Sequence, residues 1–190
     1  EGVSNEEPTS AQLTVSTPPS VGKQFAPPVI APGAVSRLTI FLNNNNAAPA
    51  TLTGVFVDNL PNAPGNMVVA PVPNLQTTCG GGIGSITAGA GDSGITYASG
   101  QAIAPGGCTI SVDVTASVGG VYTNSIPAGA LQTTLGTSQT PAHATLTVST
   151  LGFISGKVFN DNNPLPNGVF NTGTDTPIAV LSERPRLLFD

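Results

Sequence analysis

Short runs in which every second side chain is apolar, each cut off by proline, glycine or asparagine, constrain this chain more than any other feature. Ile110, Val112 and Val114 alternate with Ser111, Asp113 and Thr115, and Leu38, Ile40 and Leu42 share one phase of residues 35–42. A period of two sends neighbouring side chains to opposite faces, so each run can bury one face of a sheet. Turn signals interrupt the runs about every 8 to 15 residues, and no window keeps the helical period. Charged residues are 8% of the chain, against about 25% in an average soluble domain, so long helices lack the residues that would coat their solvated faces. The pattern predicts an all-β fold, an antiparallel β-sandwich.

The expected organisation follows from the punctuation. Residues 1–10 read as a flexible leader and residues 11–150 as the sandwich. Leu13 and Val15 start an alternation that Pro18 and Pro19 stop. After the turn signal Ile30-Ala31-Pro32-Gly33 comes the strand at 35–42, broken by the asparagines at 43–46. A strand is expected over 51–58, with a turn at 60–65, and a short apolar run follows at 67–72. Residues 75–79 lead into a glycine-rich stretch, 80–94, read as flexible. A second Ile-Ala-Pro-Gly, at 103–106, again precedes a clean alternation, which suggests two similar hairpin corners. Residues 121–126 and 142–148 complete the series.

The net charge is −5, and the basic residues are Lys23, Arg37, Lys157, Arg184 and Arg186. Too few to neutralise a run of phosphates, they exclude nucleic acid as a partner. No apolar run approaches the roughly 20 residues of a membrane span, and no basic-then-apolar signal opens the chain. The sequence reads as a mature or truncated soluble segment. Cys79 and Cys108 stand in no CxxC pair, and His143 is the single histidine, so no zinc set can be assembled. In a chain this poor in charge and rich in threonine and glycine, a disulfide in an oxidising compartment is favoured over two buried thiols.

From about Leu13 to Val148 the chain resembles the Ig-like repeat domains found in tandem in large bacterial cell-surface and adhesin-type proteins. The resemblance is carried by Phe25-Ala26-Pro27-Pro28 running into Val29-Ile30-Ala31-Pro32-Gly33, by Asp58-Asn59-Leu60-Pro61, by Cys79-Gly80-Gly81, by Ile103 to Thr109, and by Tyr122-Thr123-Asn124-Ser125-Ile126-Pro127-Ala128-Gly129-Ala130-Leu131. It implies an Ig-like sandwich that serves as a spacer or adhesive module, with its cysteines paired. Residues 154–161 and 167–177 are similar to the opening of a B-type, prealbumin-like domain of the serine-aspartate repeat surface proteins. Residues 151–190 then make an extended C-terminal strand-and-loop tail, an incomplete domain. In that family the Asp/Asn-rich loop can hold calcium. Asp161, Asn163, Asn167, Asn171 and Asp175 supply hard oxygen ligands at alternating spacing, with formal charge on two of them only, so a weak calcium site is the most the loop offers. No other cofactor is expected.

Other motifs are read as structure. Gly91-Asp92-Ser93-Gly94 looks like the nucleophile loop of trypsin-like proteases, but His143 follows the serine in the chain and sits in an expected strand, the reverse of that order. The tetrapeptide is a turn and His143 a strand surface residue. Gly80 to Gly84 has no helix downstream to make it a phosphate cradle. Lys23 and Lys157 are of the type that forms isopeptide crosslinks with an Asn in some surface domains, yet no acid stands beside either in sequence, so both are expected to be solvated. No Asn-x-Ser/Thr acceptor occurs.

The chain is therefore expected to be no enzyme and to take no small-molecule substrate. It reads as a structural subunit of a bacterial extracellular surface fibre or stalk. Its partners are copies of itself or neighbouring repeats, joined when the strand carrying Phe153, Ile154, Val158 and Phe159 adds to another sheet edge. An adhesin that binds a glycan or a host surface protein is the alternative. It has little to build an aromatic platform from, with no Trp and with Tyr97 and Tyr122 as the tyrosines.

Overall fold

A computed structural model describes residues 15–150, 159–160 and 176–177. The chain divides into two units, Glu1–Leu151 and Gly152–Asp190. In the first, the order is β1 Ser20–Ala26, β2 Val29–Ile30, β3 Val35–Asn43, β4 Ala50–Thr51, β5 Phe56–Asn59, β6 Met67–Val69 and β7 Gln76–Thr77. A 3-10 turn at Ile83–Ser85 leads into β8 Ile86–Thr87, then β9 Gly94–Tyr97, β10 Ala102–Ile103 and β11 Cys108–Ala116. The unit finishes with β12 Gly120–Ile126, β13 Gln132–Thr133, β14 Gly136–Thr137 and β15 Ala142–Val148. In the second unit, β16 Phe159–Asn160 pairs antiparallel with β17 Thr176–Pro177.

The fold is an all-β sandwich. One sheet runs β1-β3-β11-β6, with β7 also on β11. The other face is made by β12-β15-β2 and by β5-β9-β8. Among the described residues every pairing is antiparallel except that of β15 with the two-residue β2. The alternation predicted for the two long central strands is realised in full: Leu38, Ile40 and Leu42 of β3 and Ile110, Val112 and Val114 of β11 are all wholly buried. They join Phe56, Ile95, Tyr97, Tyr122, Ile126 and Leu146 in one core drawn from both faces, and burying a branched or aromatic side chain of this size contributes about 1.5–3 kcal/mol.

The two Ile-Ala-Pro-Gly copies fold alike. Ala34 N–H donates to Ala31 O at 3.0 Å and Gly107 N–H to Ala104 O at 2.9 Å, with Gly33 at φ 75° and Gly106 at φ 86°. Proline second and a positive-φ glycine third is the type II signature. They are not hairpin corners: each carries the chain from a two-residue strand into a long one. Because β3 and β11 are antiparallel, the corners sit at opposite ends of the pair and close it reciprocally. Gly33 N–H donates to Ala116 O at 2.9 Å, and Gly106 N–H to Asn44 O at 2.8 Å.

Three expectations are corrected. Residues 15–19 form no strand and Val15 is exposed; among the described residues the first strand begins at Ser20, beyond the prolines, and Leu13 lies outside them. The strand expected over 51–58 is two strands in different sheets, β4 pairing β10 and β5 pairing β9, with a bend at Thr53 and Gly54 between them. The stretch at 80–94 is built rather than loose. It contains the 3-10 turn and β8, Ser85 Oγ donates to Gly82 O at 2.7 Å, and Tyr97 OH donates to Gly80 O at 2.9 Å.

Candidate functional site

Three of the inward strand positions that carry polar side chains belong to one cluster. Lys23 lies between Val21 and Phe25 on the buried face of β1, Asp58 follows Phe56 on β5, and Asn124 lies between Tyr122 and Ile126 on β12. They meet inside the core. Lys23 Nζ donates to Asp58 Oδ1 at 2.8 Å and to Oδ2 at 2.7 Å, and Asn124 Nδ2 donates to the same Oδ2 at 3.2 Å. The Lys23 and Asp58 side chains have no solvent exposure, and Asn124 is also fully buried. Asn124 Oδ1 accepts no hydrogen bond, which is costly for a buried carbonyl.

Burial is the largest influence on both ionisable groups. It holds the Lys23 amine below its ordinary 10.5, against the pull of Asp58, and lifts the Asp58 carboxyl above its ordinary 3.8, against Lys23 and then Asn124. Each shift favours the uncharged form. Burial thus works against the charged form on both sides of the pair.

The expectation of a solvated Lys23 is thus overturned. The acid it lacked in sequence, 35 positions away, is supplied by the packing of β5 against the first sheet. The signal was present but dispersed: in each of Val21-x-Lys23-x-Phe25, Phe56-x-Asp58-x-Leu60 and Tyr122-x-Asn124-x-Ile126 a polar residue keeps the apolar phase.

The other sequence candidates fall elsewhere. Cys79 and Cys108 form a disulfide across 29 positions, fastening the start of β11 to the end of the β7 segment. Gly91 to Gly94 is a tight loop in which Asp92 Oδ2 accepts from Gly89 N–H at 2.6 Å. His143 is on the exposed face of β15, its Nδ1 2.9 Å from Ser125 Oγ. The calcium candidates Asp161, Asn163, Asn167, Asn171 and Asp175 lie outside the described residues, as do Lys157 and the strand residues Phe153, Ile154 and Val158; Phe159 is described only as backbone in β16.

Residues 19–148, the span that contains all three members of the buried cluster, match a family model described as a domain of unknown function, DUF7933. The chain belongs to the DUF7933 family. Among solved structures, this DUF7933 sandwich is similar to the cohesin module of a family 33 glycoside hydrolase from Clostridium perfringens ATCC13124, at 9% identity and a TM-score of 0.45, over 70% of this chain and 98% of the module. No curated protein matches the chain.

Proposed function

We propose that this DUF7933 chain is a non-catalytic structural module of a bacterial extracellular stalk or fibre. In this reading it is an Ig-like repeat whose neighbours are further copies or adjoining modules, joined by strand addition at sheet edges. The observation that carries it is where the polar chemistry goes: the lysine, acid and amide that a catalytic site would present to a substrate are sealed between the two faces of the sandwich. His143 is spent on a surface hydrogen bond. The disulfide suits an oxidising compartment outside the cytosol. β1 and β6 end one sheet, β12 and β2 a second and β5 and β8 a third, and strand edges of this kind offer backbone donors and acceptors to an incoming strand. The B-type resemblance of residues 151–190, with its calcium loop, belongs to the same proposal. Tyr97 and Tyr122 are wholly buried and give a glycan no aromatic face, so the two tyrosines lend the adhesin reading no support. Electron microscopy of the purified chain over a range of concentrations tests the assembly: regular filaments or end-to-end strings are expected, and isolated particles at every concentration would sink the proposal.

A further inference from the structure

We propose that Lys23 and Asn124 become joined by an intramolecular isopeptide bond, formed inside the folded sandwich with Asp58 as the proton-transferring acid and base. The inference stands on the geometry of the buried cluster and is independent of the assembly reading.

The reaction needs an uncharged amine, an amide carbonyl within its reach, and a group that takes a proton from one nitrogen and gives one to the other. The amine and the carboxyl are in direct contact, and the amide is hydrogen-bonded to that same carboxyl. Asp58 Oδ2 accepts from both Lys23 Nζ and Asn124 Nδ2, so one carboxyl oxygen holds the nucleophile and the leaving group side by side. Fixing reactants this way replaces an encounter in solution with a positioned contact. Burial biases Lys23 toward the free amine and Asp58 toward the acid, the protonation states the step requires. The orphaned Asn124 Oδ1 points the same way.

Lys23 Nζ then attacks Asn124 Cγ. The Nζ–Cγ bond forms and the Cγ–Nδ2 bond breaks. Asp58 takes a proton from Nζ as it delivers its own to Nδ2, which leaves as ammonia, and Asp58 ends in the protonation state in which it began. Nothing is oxidised or reduced, and no co-reactant is consumed. The product replaces the buried amine with a neutral secondary amide, a group that can no longer take up a charge in the core.

Intact-mass spectrometry of the full chain, folded and then reduced, decides the matter. The expected mass falls short of the sequence mass by one ammonia, and fragmentation after proteolysis yields a branched peptide joining the Lys23 segment to the Asn124 segment. The full sequence mass, or an ammonia loss mapped to any other residue, overturns the bond. Lys23→Met and Asn124→Ala are expected to keep the full mass of their sequences. Asp58→Asn, scored only in material whose circular dichroism matches the wild type, is expected to abolish the loss while both partners remain; linkage at the wild-type rate overturns the role given to Asp58. The wild-type measurement tests the bond without any variant having to fold.

Discussion

Tyr97 shows how a single buried side chain ties local geometry to a measurable pH response. Its phenol donates to Gly80 O at 2.9 Å from a position with no solvent exposure, and burial pushes it above its ordinary 10.0. A folded-state pKa above the unfolded one means that the stabilisation is complete below about pH 10 and is lost as the pH climbs through the folded value. Urea midpoints followed from pH 8 upward are expected to fall in that alkaline range. Tyr97→Phe, lower by about 1–3 kcal/mol at neutral pH for the unsatisfied carbonyl, should lack that part of the fall; a variant that tracks the wild type would remove Tyr97 as the cause. At this scale the sequence was legible where a residue's role depends on its own run, as for Leu38, Ile40, Ile110 and Val112. Lys23 was not, because Gly22 and Gln24 beside it look like surface and its partners arrive from β5 and β12 only when the sheets stack. A buried ionic group declares itself through its neighbours in space, and those are fixed by topology.

Elements follow the same division. Strands β3, β11, β12 and β15 were readable because each is long enough to repeat its alternation, whereas β8, β10, β13 and β14 have two residues apiece, too few to show a period. The stretch at 80–94 looked loose for its glycines, yet it is pinned by the hydrogen bonds of Ser85 and Tyr97 and by the disulfide at its edge. The disulfide was legible from composition, although composition alone left open whether the thiols pair. Closing a loop of 29 positions is expected to contribute about 3–4 kcal/mol in the chain-entropy model. Urea unfolding with and without reductant checks this, and equal midpoints would show that the unfolded chain gains nothing from being cut loose. The asparagine run that ends β3 is a further case of structure hidden in a breaker signal. Asn44 is buried, its amide donates to Ala48 O at 2.9 Å and Ile103 O at 3.0 Å, and it thereby fixes the chain reversal beside the second corner.

For the molecule as a whole, the sandwich follows from period and punctuation, while the way its pieces are fastened does not. The first strand, the fifth and the twelfth contribute one side chain each to the buried cluster, and the disulfide lies wholly within the sequence span those residues bracket. That nesting governs how the domain yields when it is pulled by its ends. Load entering at Lys23 and leaving at Asn124 through a covalent link bypasses everything between them, the disulfide loop included. Single-molecule stretching is therefore expected to give the same contour length for the wild type with or without reductant. In Lys23→Met the bypass is gone, and reductant should free the 29 positions between the cysteines, about 100 Å of slack. A wild-type domain that lengthens on reduction would place the tether elsewhere. A molecule wired in this order keeps the span from Lys23 to Asn124 inextensible, and its inner clasp comes under tension only after the outer one has been removed.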